Sequence, residues 1–288
     1  MKEKNAILLL LLTAFIWGMS FVAQSVSADS IGPFSFNSIR FFIGALVLIP
    51  FTYPIIKSHK GDGTYMEKLL KGGFFVGLCL SLATVTQQAG ISYSGAGKGG
   101  FITSLYIIIV PFISLLGGKK IQKAIWISAL GSILGLYLLS SGGSNESLKG
   151  DLLLLLCALF FAFHILTIDK VGKDIEGILL SQLQFLFAGL LTLPGMIVEA
   201  PSIETLKALW LPIGYAGVFS CGIAYTLQVV GQKYVKPQNA VLVLSLESVF
   251  AALGGAILIA ERMTGREILG AVLVFVSVLF AELSPKEE

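Results

Sequence analysis

Glu247 stands in the run VLSLESVF, residues 243–250, inside an apolar stretch that extends from about Ala240 to Ala260. Ten residues beyond Pro237, at 1.5 Å each, it lies about 15 Å into a hydrocarbon core roughly 30 Å thick. An ionised acid at that depth costs several kcal/mol, so the group must be neutral, paired or hydrated. A carboxyl held between those conditions can take up and release a proton. Its candidate partners are His164, near mid-depth in its own apolar run, Tyr106 and Arg40. Glu247 and His164 are therefore the proton-exchanging candidates. Other polar and aromatic residues recur at the three, four and seven spacing that shares a helix face: Trp17, Ser20 and Gln24; Thr84 and Gln88; Tyr225 and Gln228. Together with Tyr106, His164 and Glu247 they are the expected lining of a polar cavity.

The elements that must position these groups are membrane spans. Hydrophobic residues make up 55% and charged residues 13% of the chain, with a mean hydropathy of +0.87, which is not the balance of a water-soluble globule. Apolar runs long enough to span a bilayer recur near 5–28, 33–56, 69–91, 98–117, 124–140, 151–168, 178–198, 207–230, 237–260 and 266–283, ten in all. The first is too long, and too soon followed by others, to be a cleaved signal peptide. The loops are short, so function is expected inside the membrane. Cys79, Cys157 and Cys221 lie singly within runs, without metal or redox spacing. No metal or cofactor is expected.

With the N-terminus in the cytoplasm, fourteen lysines fall on inside segments, against five basic residues outside: Lys98, Lys149, Lys207, Arg262 and Arg266. The asymmetry predicts both termini inside. It also accounts for the net charge of +3, which leaves little ground for a nucleic-acid partner.

The two halves repeat. Sliding 81–106 onto 222–247 superposes Gln87 on Gln228, Gly90 on Gly231, Tyr93 on Tyr234 and Ser104-Leu105 on Ser245-Leu246, and sets Tyr106 opposite Glu247. A slightly different offset lays Ala14–Trp17 on Ala158–Phe161. The seam lies in SSGGSNES, 140–147, giving repeats over 1–143 and 144–288. Five spans per half is an odd number, so the second half must cross in the opposite sense. The expected fold is all-α and integral to the membrane: ten transmembrane helices as two inverted five-helix repeats around a central cavity, with the binding site near mid-membrane where the halves meet. Runs 1, 3, 4, 6, 8 and 9 carry polar stripes and should line it; runs 5 and 10 lack one and should be peripheral. Pro111 and Pro212 predict local bends. Glu261 and Arg262 should cap and anchor the ninth span.

This pattern resembles the drug/metabolite transporter superfamily and, within it, the ten-helix EamA-type group. The stretches that carry the resemblance are AFIWGMSFVAQ (14–24), NSIRFFIGALVLIP (37–50), KGGFITSLYIIIVPF (98–112) and SLESVFAALGGAILIAER (245–262). Such proteins often have proline after the glutamate of the last stretch, where this chain has Ser248, so a bend in the ninth span is not expected. The resemblance implies a multi-pass protein of the plasma (inner) membrane that moves small metabolites or drug-like compounds without ATP, more often outward. A mid-membrane carboxylate beside aromatic rings suits a cation or a zwitterion, so amino acids and small amines are the expected substrates and protons the candidate coupling ion. An enzyme would need clustered acids, histidines or a nucleophile turn, and none is present in the sequence. The alternative is a membrane receptor or scaffold that binds ligand without moving it. The small-residue faces of runs 5 and 10 serve intrachain packing and self-association equally well, which leaves the oligomeric state open.

Overall fold

The computed structural model describes residues 1–140, 147–258 and 264–284. The body of the seam, 141–146, Glu261 and Arg262, and Lys286 lie outside them, as does the side chain of Lys98. The described residues are helical throughout, with no strand among them. In chain order the helices are α1 (Glu3–Ala28), α2 (Pro33–Ser58), α3 (Gly63–Ser94), α4 (Ala96–Thr103), α5 (Tyr106–Leu116), α6 (Lys123–Ser140), α7 (Leu148–Val171), α8 (Gly177–Glu199), α9 (Ile203–Ala208), α10 (Trp210–Tyr215), α11 (Thr226–Gln232), α12 (Pro237–Leu244), α13 (Glu247–Leu258) and α14 (Gly265–Leu283). Among the described residues, eight segments are long and apolar enough to cross a membrane. α6 and α14 complete the ten runs but fall short of that measure, α6 by length and α14 because Arg266, Glu267 and Glu282 sit near its ends.

α1 packs on α11, α12 and α13, while α7 packs on α3, α4 and α5. Each half thus lends its first helix to the other. Glycines at repeat-matched positions make this possible: a Cβ at Gly90 would stand 3.2 Å from the Gly150 carbonyl and against Leu154, and one at Gly231 would stand 3.3 Å from the Ala6 carbonyl and against Leu10. α2 packs on α8, and α6 on α14, with α6 and α14 exposing Leu130, Leu134, Phe275 and Val276 outward. The expectation that the fifth and tenth runs are peripheral agrees with this packing.

Two spans are broken at matched places, at Ser104-Leu105 between α4 and α5 and at Ser245-Leu246 between α12 and α13. The ladder there tightens to three-residue bonds: Leu105 N–H to Ile102 O and Ile107 N–H to Ser104 O in one, Leu246 N–H to Val243 O and Ser248 N–H to Ser245 O in the other. Ser245 Oγ also donates to its own Leu242 carbonyl at 2.7 Å, and Ser104 and Ser248 hydroxyls meet across the halves at 2.9 Å. Serine bonding back to the preceding turn competes with the helical ladder, so the ladder is interrupted without proline. This corrects the expectation of an unbroken ninth span. The fourth span, likewise, breaks before Pro111 rather than at it. In the eighth span the departure follows Pro212: residues Ala216–Tyr225 adopt π-helical geometry before α11 resumes, a winding that is frequent at functional sites.

Candidate functional site

Tyr106 and Glu247 are the first residues after the two breaks, which brings them face to face. Tyr106 Oη donates to Glu247 Oε1 at 2.9 Å, and both side chains are buried. α1 closes the site from one side. Gly18 permits the approach, since a Cβ there would stand 2.8 Å from the Glu247 carbonyl oxygen. Thr13 Oγ1 donates to the Ala224 carbonyl at 3.1 Å, and Tyr215 Oη to the Ile16 carbonyl at 3.1 Å, so α1 is tied to the π-helical span. That registration sets the Trp17 and Tyr225 rings 4.5 Å apart.

Between these elements lies a narrow cavity of about 20 Å³, room for about one water molecule. Loading an organic solute requires its walls to part. The lining comprises Trp17, Ser20, Phe21, Gln24, Arg40, Gln87, Tyr106, Phe161, Ile165, Ser220, Tyr225, Gln228, Leu244 and Glu247. Five of these carry buried polar atoms without a hydrogen-bond partner: Trp17 Nε1, Ser20 Oγ, Gln24 Oε1, Arg40 Nε and Gln228 Oε1. Unsatisfied buried groups are rare in folded proteins, and these atoms give the wall donors and acceptors that a water or another polar group can meet. The wall carries one acid, Glu247, and one cation, Arg40. Arg40 is 2% exposed and has no ion pair among the described residues; it lies 5.4 Å from the Phe36 ring centroid and 5.3 Å from that of Phe41.

Seven of the ten expected residues are on this wall: Trp17, Ser20, Gln24, Tyr106, Tyr225, Gln228 and Glu247. The other three lie one layer behind it. Thr84 Oγ1 turns back to the Leu80 carbonyl at 2.9 Å, and Gln88 Nε2 donates to the Gln24 carbonyl at 3.2 Å. His164 Nε2 bonds Gln184 Oε1 at 2.9 Å, its ring 6.0 Å from that of Tyr225, so it does not reach Glu247 as a partner. Gln87, Phe161 and Ile165 hold the wall positions that the stripes on runs 3 and 6 assigned to neighbours. The repeat carries the signal that finds two of them: Gln87 matches Gln228, and Phe161 matches Trp17. Arg40 was legible as a basic residue well inside a run, away from its ends.

The EamA-like transporter family model matches the chain twice, over residues 4–141 and 148–283. The chain belongs to the EamA-like transporter family. Among relatives that also bear transporter names, one from Archaeoglobus fulgidus, described as an uncharacterized transporter, is 33% identical over 98% of this chain and 87% of its own length. The uncharacterized inner membrane transporter YedA of Escherichia coli is 24% identical over 92% of this chain and 86% of its own. The threonine/homoserine exporter RhtA of Salmonella typhimurium is 24% identical over 88% and 82%. A solved crystal structure superposes with a TM-score of 0.77 at 19% identity, covering 97% of each chain; at that identity it speaks for the fold alone. Membership in the EamA-like family makes this a multi-pass membrane transporter.

Proposed function

We propose that the protein is a secondary active exporter of amino acids or small amines, working by alternating access with both termini in the cytoplasm of an inner-membrane setting. The observation that carries this is the cavity itself: one acid, and one cation without an ion pair among the described residues, on a single buried wall, with donors and acceptors on the same wall that have no partner among those residues. An ammonium group meets Glu247, a carboxylate meets Arg40, and Trp17 and Tyr225 offer ring faces to the cationic end. The name of the RhtA relative, an amino-acid exporter, supports the same class. Coupling follows from competition. Glu247 is the sole acid on the wall and its described partner is a phenol, so a proton and an ammonium group compete for one carboxylate and exchange across the membrane as the halves rock.

The test is flux in proteoliposomes, with a panel of labelled amino acids and amines, with and without a pH gradient, for the wild type and Glu247→Gln. Gradient-driven flux that falls tenfold or more in Glu247→Gln is the expected result. Unchanged flux in the variant removes Glu247 from the path, and flux indifferent to the gradient removes the proton. Binding of panel members without flux favours the receptor or scaffold reading.

A further inference from the structure

A second, larger concavity opens at one end of the bundle, where α5 and α7 finish and α12 and α1 begin. Its volume is about 720 Å³, and its rim carries Lys119, Lys120, Lys173, Lys233 and Lys236 against two acids, Asp169 and Glu3. Lys119 is engaged by Asp169 at 3.0 Å, and Lys233 Nζ donates to the Ile175 carbonyl. Partial burial lowers the Lys233 pKa from its ordinary value, against the raising pull of Glu176 and Asp174. Lys120, Lys173 and Lys236 have no acidic partner among the described residues.

Two further features converge on the same space. α12 begins at Pro237 with Lys236 as its N-cap, without a side-chain cap and without an acid in its first turn. A lysine there works against the positive helix end instead of offsetting it, and that end favours an anion, although the Asn239 and Ala240 N–H groups already donate to the Lys236 carbonyl. Deeper in, Gln232 is 2% exposed with both its carboxamide nitrogen and oxygen unpartnered, and Gln238 is 6% exposed with its Oε1 unpartnered. Both line the concavity. Ammonium groups meet anionic oxygens, and the two Oε1 atoms, acceptors without a partner among the described residues, suit a guest that also donates. A bare carboxylate supplies no donor. A phosphate group carrying or flanked by hydroxyl supplies both.

We propose that this vestibule is a phosphate-binding site, taking either the headgroup of an anionic phospholipid such as a phosphatidylglycerol or free hydrogen phosphate. Gln232 stands one helical turn from the cavity residue Gln228 on α11, so occupancy here bears on the helix that walls the central site. The lysine distribution puts this face in the cytoplasm, where anionic lipid attracts basic clusters. The site stands independently of what the central cavity carries.

The experiment uses the full-length protein and has two arms. In one, the protein is reconstituted in nanodiscs of phosphatidylcholine with increasing phosphatidylglycerol; in the other, it is titrated in neutral detergent with inorganic phosphate, ionic strength being held constant with KCl. Thermal unfolding is followed in both. A saturable rise in midpoint in the lipid arm identifies a headgroup, and one in the phosphate arm identifies the free anion. The double variant Lys120→Gln/Lys236→Gln, which changes only exposed side chains, is expected to raise the half-saturating concentration tenfold or more in whichever arm responds. Gln232→Leu is expected to weaken binding while folding at least as well, because it removes two unsatisfied atoms. No saturable shift in either arm overturns the proposal, and so does a shift that the double variant leaves unchanged.

Discussion

Arg40→Met should stabilise the fold while impairing the transporter. The guanidinium is 2% exposed, its Nε has no partner, and no acid pairs with it among the described residues. Burial of a charge costs several kcal/mol even after relaxation. Two aromatic rings at 5.4 and 5.3 Å return part of this, about 1 kcal/mol each. Methionine keeps the aliphatic stem that packs between the rings and removes the charge, leaving a net gain of about 1–3 kcal/mol. The same change deletes the charged donor proposed for a substrate carboxylate, about 1.5–3 kcal/mol, or roughly 10- to 100-fold in affinity. Arg40→Lys keeps the charge without the planar fork and should fall between. The assays are thermal unfolding in nanodiscs and competition binding of an amino acid against its decarboxylated amine. Wild type should prefer the amino acid, and Arg40→Met should lose that preference. A variant that unfolds more easily by 1 kcal/mol or more, yet keeps the wild-type preference, would refute the reasoning and make Arg40 a structural post.

Tyr106→Phe removes the 2.9 Å donor to Glu247 and should cost about 1–2 kcal/mol of stability, whereas Glu247→Gln, which retains an acceptor there, should cost less; equal losses in thermal unfolding would show that the bond contributes nothing. Gly270→Ala places a Cβ 2.5 Å from the Gly135 carbonyl and 2.8 Å from the Leu139 nitrogen, both backbone atoms, so α6 and α14 must separate at a cost of about 1–3 kcal/mol. Gly214→Ala, whose Cβ meets nothing within 4 Å, serves as the control and should be neutral or slightly stabilising, measured by the same unfolding midpoint.

The spans were legible because run length answers directly to bilayer thickness, and the family because order and spacing persist across the chain. The cavity wall was legible only in part. Choosing a face by its polar stripe assumes that polar groups in a membrane protein point at the cavity, but they also tie helices to one another where lipid offers no partner. Gln88 and His164 do that, bonded to Gln24 of α1 and Gln184 of α8, while Thr84 turns back on the Leu80 carbonyl of its own helix, and on the sixth run the wall is made instead by the apolar Phe161 and Ile165. The repeat is the better guide to these faces, because matched positions inherit matched surroundings. The break at Ser245-Leu246 escaped for a related reason: proline is the strong sequence signal for a bend, and a serine that bonds its own preceding turn gives almost none.

The matched breaks also bear on why one half carries a phenol where the other carries an acid. Both residues open the second segment of a broken span and meet across the two halves, so an acid at each place would set two like charges together in a low-dielectric site. With tyrosine opposite glutamate, the phenol can donate to a carboxylate, the stronger bond, or to the carbonyl oxygen of a protonated acid. The link between the halves therefore survives the arrival and departure of the proton, and parts when the helices move. In the proposed cycle this assigns the two events to different atoms: charge is exchanged at Glu247, while the Tyr106 hydroxyl holds the closed arrangement, whose cavity has room for little more than a water. Loss of the hydroxyl should then loosen closure without abolishing proton dependence, and loss of the carboxyl should do the reverse.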